Sequence, residues 1–246
     1  MGPIQLELAN LPICGREAEM KALDHGYANS FNSCKLLTVF GKSGSGKSSL
    51  VLSQQEKWKK KSDACFTASG KFGMAQEPFQ AILSALNEIL DQWSLTDQGI
   101  SEIKKCLEND AINEHFYRRF LPRMYEIAHV NGPTNGNGAK DDAYNNSIDT
   151  FNTDVSRDEE IDGHRRFGFH RLKVALSHFL TAVCSSSRRL VLFLDDIQWA
   201  DQPNLELIGF LAKADLLRGF LLIVSYREEM VDVTHPVATL LSSLQE

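Results

Sequence analysis

The sequence predicts an α/β fold in three layers, a parallel sheet with helices on both faces. Three observations predict it. Strand-sized apolar runs, KLLTVF at 35–40, LVLFL at 190–194 and FLLIV at 220–224, alternate with segments of helical periodicity. The first run opens directly into a glycine-rich octet, GKSGSGKS at 41–48, and from there into a helical segment. The second run ends in two consecutive carboxylates, Asp195 and Asp196, on the strand edge where parallel sheets collect ligands.

Taken in order, Glu17 to Ala28 reads as a helix leading into a first strand, Lys35 to Phe40. A helix from Lys47 to about Lys60 and a second strand within ACFTASGKF at 64–72 follow. Pro78 suits a first helical turn, and Phe79, Ile82, Leu83, Leu86, Ile89, Leu90 and Trp93 keep helical spacing after it. Ile103, Leu107, Ile112, Phe116, Phe120, Met124 and Ile127 continue in helix, broken or kinked near Pro122. Leu172, Ala175, Leu176, Phe179, Leu180 and Val183 mark another amphipathic helix. Strand 189–194, a helix from about Pro203 to Lys213, strand 219–226 and a short helix near Pro236 complete the alternation. Residues 131–163 are rich in Asn, Gly and Asp and bury too little to offset ordering entropy. They are expected to form a disordered acidic insertion inside one domain spanning 1–246.

That insertion carries eight acids and two bases, which accounts for the whole net charge of −6. The remainder is neutral and lacks the basic excess of a polyanion binder, so direct nucleic-acid contact is not expected. The KWKKK cluster at 57–61 reads as a solvated helix face. No apolar run is long enough to span a bilayer, no secretory signal opens the chain, and Pro3 and Leu6 fit a myristoylation pattern poorly. Five scattered cysteines without a CxxC pair argue for reduced thiols and a cytoplasmic or nuclear setting.

The octet satisfies the phosphate-loop pattern Gly41-x4-Gly46-Lys47-Ser48 in full, and Gly41, Lys42, Ser43, Gly44, Ser45, Gly46, Lys47, Ser48 and Ser49 form the candidate nucleotide grip. Glycines let the backbone approach phosphate oxygens, and successive N–H groups turn inward to meet the charge. Lys47 adds a point charge for the β- and γ-phosphates, and the Ser48 hydroxyl is a ligand for Mg²⁺. Asp195 is the candidate second metal acid. Asp196 is positioned to orient or deprotonate water, while Asp201 suits the cap of the next helix. Arg227, at the end of strand 219–226, either senses a γ-phosphate or pairs with Glu228, Glu229 or another acid.

Four stretches make the chain resemble a known family: ICGREAEM at 13–20, GKSGSGKSSLV at 41–51, GKFGMAQEPFQAI at 70–82 and LVLFLDDIQWADQPNLELI at 190–208. Together they resemble the ATPase module of the signal-transduction ATPases with numerous domains. That branch of the AAA superfamily includes origin-recognition-like ATPases and maltose-type transcription regulators. The Asp-Asp-apolar-Gln-Trp-Ala-Asp segment is the most specific of the four. The resemblance implies a P-loop NTPase fold, ATP and Mg²⁺ as cofactors, Gly15 and Arg16 beside the adenine or ribose, and Arg227 as the sensor arginine. It also implies a nucleotide switch whose partners are other domains or proteins of a larger signalling assembly.

Two departures from the family are expected to matter. Nothing after Tyr226 is long and apolar enough for a fifth core strand beside the first, and no C-terminal lid follows. The expected module is thus truncated, and its first strand has an unpaired edge. Three other functions share part of the signal. A scaffold would hold ATP or ADP without turnover, an origin-recognition-type ATPase would show a salt-dependent shift on DNA, and a small-molecule kinase would transfer label to an acceptor other than water.

Overall fold

A computed structural model describes residues 15–33, 35–62, 64–74, 79–109, 114–129, 158–184, 188–214 and 217–244. Ile13 and Cys14 of the first box, Pro78, and residues 131–157 of the acidic insertion lie outside them.

The chain forms two compact units, one from the residues up to Ala85 together with Cys184–Glu246, the other from Leu86–Val183. In the first, strands β1 (Lys35–Gly41), β2 (Cys65–Lys71), β3 (Arg189–Asp195) and β4 (Phe220–Arg227) build a four-stranded parallel sheet in the order β1-β4-β3-β2. Helices α1 (Glu17–Asn29), α2 (Lys47–Lys61), α8 (Gln202–Ala212) and α9 (Pro236–Ser243) belong to the same unit, with the first residues of α3 (Gln80–Trp93). Each strand lies within a residue or two of its expected span.

Period-two alternation decides which face each strand residue serves. Val191, Phe193, Leu221 and Ile223 form one core cluster with Leu23 of α1 and Leu50, Val51 and Trp58 of α2. Leu190, Leu192, Leu194, Leu222 and Val224 point the other way and are equally buried, so both faces of β3 and β4 are covered. Such double burial is why these strands read as continuous apolar runs. Gln55 of α2, itself buried, donates to the Ala68 carbonyl and accepts from the Ser69 hydroxyl, which ties the helix to β2 without an unpaired polar group. Trp58 stacks on Tyr27 at 4.6 Å and donates its indole N–H to Asp24, which clasps α2 to α1.

Among the described residues β1 has a strand partner on one side only, as expected. Its exposed Phe40 stacks on Tyr226 of β4 at 5.6 Å. Parallel register brings the C-terminal strand ends together. Gly41 pairs with Arg227, and Lys71 with Asp195.

The second unit holds the rest of α3 with α4 (Asp97–Asn109), α5 (Glu114–Phe120), α6 (Pro122–His129) and α7 (Asp158–Val183). Pro122 opens α6, so the helix is broken there, one of the two outcomes expected, and proline at a first helical position gives up no intrahelical bond. Trp93 meets Phe179 edge to face at 6.2 Å, and the buried Tyr117 hydroxyl donates to the Ala175 carbonyl at 3.1 Å. α7 begins at Asp158, so residues 158–163 of the expected insertion are helical. Among the described residues no helix is long and apolar enough to cross a membrane.

Candidate nucleotide site

β1 ends at Gly41 and the chain turns through residues with positive φ, 72° at Gly44 and 83° at Gly46, before α2 starts at Lys47. A Cβ built at Gly44 or Gly46 would meet nothing within 4 Å, so the backbone angle, not space, demands glycine at both. Lys47 is buried, and its Nζ donates to the carbonyls of Gly41 at 2.9 Å and Lys42 at 3.0 Å. Its charge is thereby held at the centre of the loop. Ser49 follows, exposed, in the first turn of α2.

From outside the loop, Arg16 donates Nη2 to the Ser45 carbonyl at 2.6 Å and Nη1 to Glu19 at 3.2 Å. Gly15 beside it has φ 75°. This arginine braces the phosphate loop. Glu229 accepts the Ser43 backbone N–H at 2.8 Å.

The two strand-end acids are held differently. Ser48 donates its hydroxyl to Asp195 Oδ2 at 2.7 Å, across a separation of 147 residues. The Asp195 Oδ1 accepts from the Ser225 hydroxyl, so both oxygens of this carboxylate are anchored. Ser225 is fully buried, and its oxygen also accepts the Asp196 backbone N–H at 3.1 Å. One hydroxyl therefore positions both acids.

Asp196 sits at φ 59°, ψ 44°, a left-handed conformation that Asp tolerates better than most residues. Arg227 reaches it with two N–H groups, Nε to Oδ1 and Nη2 to Oδ2, both at 3.2 Å. Gln198 donates to Oδ1 at 2.9 Å, and the Lys71 ammonium lies 3.7 Å from Oδ2. Gln198 also accepts the Arg227 backbone N–H at 3.2 Å, which closes a ring of three residues. Burial works to raise the Asp196 pKa. The hydrogen bonds from Arg227 and Gln198 and the charges of Arg227 and Lys71 outweigh it, and the carboxyl stays below its ordinary value. Arg227, in turn, is held more firmly protonated by its bonds to Asp196.

Of the two roles open to Arg227, this arrangement displays the salt bridge, and its hydrogen-bonded partner is Asp196 rather than Glu228 or Glu229. Asp201 caps α8 through the Asn204 backbone N–H at 2.9 Å. Sequence reasoning assigned no role to Ser225, Gln198, Lys71 or the Glu229–loop contact. Gln198 stood inside the most specific motif and was the one with a signal. Ser225 in an apolar strand reads as core, and Glu229 lies 186 residues from its loop partner.

The hydroxyl of Ser48 and the carboxylate of Asp195 make an all-oxygen donor pair. Among the described residues no group of three or more His, Cys, Asp or Glu could hold a metal ion unaided. Such a pair fits an ion that would keep several waters and share phosphate oxygens, as Mg²⁺ does.

No curated protein matches the chain significantly. The family model of the AAA ATPase domain matches residues 12–224, most of the chain including the phosphate loop, Asp195 and Asp196, and the chain belongs to that family.

Proposed function

We propose that this chain is an ATP-binding nucleotide switch of the signal-transduction branch of the AAA ATPases, with slow Mg²⁺-dependent hydrolysis that resets it. The observation that carries the reading is the Ser48–Asp195 hydrogen bond, which joins the phosphate loop to the strand-end acid with the oxygen donors that a nucleotide-borne Mg²⁺ requires. When bound, that ion would neutralise charge on the phosphates.

The loop N–H groups and Lys47 take the phosphates, and Ser48 with Asp195 holds the metal. Arg227 answers to the γ-phosphate. Arg227 is bound to Asp196, so a phosphate that draws the guanidinium away also releases the Asp196 carboxylate from it to orient water. Sensing and activation are thereby one exchange of partners. Arg227 lies just beyond the matched residues 12–224, so its role rests on geometry and on resemblance. Gly15 and Arg16 lie beside the adenine or ribose, and Arg16 also braces the loop through the Ser45 carbonyl. Outputs belong to other domains or partner proteins of a signalling assembly.

A holding module without turnover is the second reading, favoured by the same clamp, because an Asp196 bound by Arg227, Gln198 and Lys71 is a poor base. Phosphate release from Mg-ATP at matched bound nucleotide separates the two. In a working switch the wild type turns over, Asp196→Asn binds but does not, and Lys47→Ala loses binding. Turnover at background, with ATP retained by wild type and lost by Lys47→Ala, establishes the holding module. Equal ATP binding by wild type and Lys47→Ala sinks both.

A further inference from the structure

The phosphate loop is an anion trap, and in this structure an anion of the chain's own already touches it. Glu229 sits on the 3-10 turn Glu228–Met230, which leaves β4 directly after Arg227. Its Oε1 accepts the Ser43 N–H at 2.8 Å. Ser43 is neighbour to Lys42, whose carbonyl, with that of Gly41, receives the Lys47 ammonium. The carboxylate thus lies among the donors and charges that a phosphate would use. Its own backbone N–H and that of Ser43, with the fields of Lys47 and Arg227, hold it well ionised.

We propose that Glu229 sets the nucleotide affinity of the loop by occupying the Ser43 N–H and competing there with the incoming phosphates. The inference rests on the nucleotide-binding reading above and deepens it. The chemistry is an exchange of one anion for another. A backbone N–H can serve the carboxylate or a phosphate oxygen, and a phosphate seated on Lys47 places several negative charges beside a carboxylate whose other backbone donor is its own N–H on the turn. Either the carboxylate leaves or the phosphate binds against its repulsion. Both routes weaken binding relative to a chain without the acid.

Position gives the exchange a consequence. Arg227 ends β4 and Glu229 lies two residues on, in the turn that follows, so a phosphate that expels Glu229 and attracts Arg227 pushes and pulls on the same segment. The effect should depend on phosphate number, because AMP presents less charge to the loop than ADP or ATP.

The test is calorimetric titration of ATP, ADP and AMP into the wild type, Glu229→Gln, Glu229→Ala, Glu228→Gln and Lys47→Ala at low salt. Glu228→Gln removes the same charge one residue away and serves as the control for the general field. The expected result is ATP and ADP binding tightened roughly two- to fivefold in both Glu229 variants, the scale of an exposed charge-assisted contact, with a smaller gain in Glu228→Gln and no change for AMP. Unchanged or weaker ATP binding in the Glu229 variants overturns the inference and makes Glu229 a brace of the loop. Equal tightening by Glu228→Gln overturns it as well, since a diffuse field would then suffice. If neither wild type nor any variant binds ATP, the nucleotide-binding reading fails and takes this inference with it.

Discussion

Replacing Ser225 with alanine removes one oxygen and, with it, the link between the two acids. Ser225 is fully buried at 0% exposure, so water does not screen what is lost. Its hydroxyl donates to Asp195 and accepts the Asp196 N–H. A hydrogen bond to a charged group contributes about 1.5–3 kcal/mol, and a buried N–H left without an acceptor costs about 1–3 kcal/mol. Local relaxation recovers part of the sum, so the expected destabilisation is about 2–4 kcal/mol. For a chain of this size that lowers the melting temperature by roughly 5–15 °C. The assay is thermal unfolding by circular dichroism, with Ser243→Ala as the comparison. The Ser243 hydroxyl also makes a hydrogen bond, to the Leu240 carbonyl, but at the exposed end of α9, where its loss should cost less than about 0.5 kcal/mol. The Ser225 variant should also show a smaller gain in nucleotide affinity on adding Mg²⁺, because Asp195 keeps only its Ser48 anchor. If Ser225→Ala melts within a degree of the wild type, the hydroxyl is not engaged with the acids, and the account of how they are positioned is wrong.

Two further outcomes follow from the same geometry. A Cβ added at Gly70 of β2 would lie 2.0 Å from the Ala81 carbonyl oxygen, a backbone atom that cannot swing aside, so Gly70→Ala should cost about 1–3 kcal/mol in thermal unfolding. The second concerns acid titration. Asp196 has a folded-state pKa below its unfolded value, so its contribution to stability is complete above the unfolded pKa, about 4, and is lost as pH falls through the folded one. In Arg227→Ala the depression shrinks, so the variant should be less stable than wild type at neutral pH. The two melting curves should converge at the acid end, and a gap of constant size from neutral pH down to pH 3 would refute the pairing.

Much of the site was legible because its chemistry is local. The phosphate loop is one contiguous stretch whose left-handed turns at Gly44 and Gly46 only glycine adopts freely, so residue type and conformation carry the same information there. Asp195 and Asp196 ended an apolar run, and Asp201 stood where a helix needs a cap.

The sequence by itself determined the sheet-and-helix alternation, the grip and its lysine, and the strand that delivers the acids, since each depends on neighbours within a few residues. Only the tertiary structure decided what each charge faces. Strand order β1-β4-β3-β2 and its register bring Gly41 beside Arg227 and Asp195 beside Lys71, and that arrangement gives Ser48 and Ser225 to Asp195, Arg227 to Asp196, and Glu229 to Ser43. The physical reason is range. A backbone preference acts within one turn of chain, whereas a hydrogen bond is set by distances of about 3 Å between residues whose separation along the chain carries no trace of it.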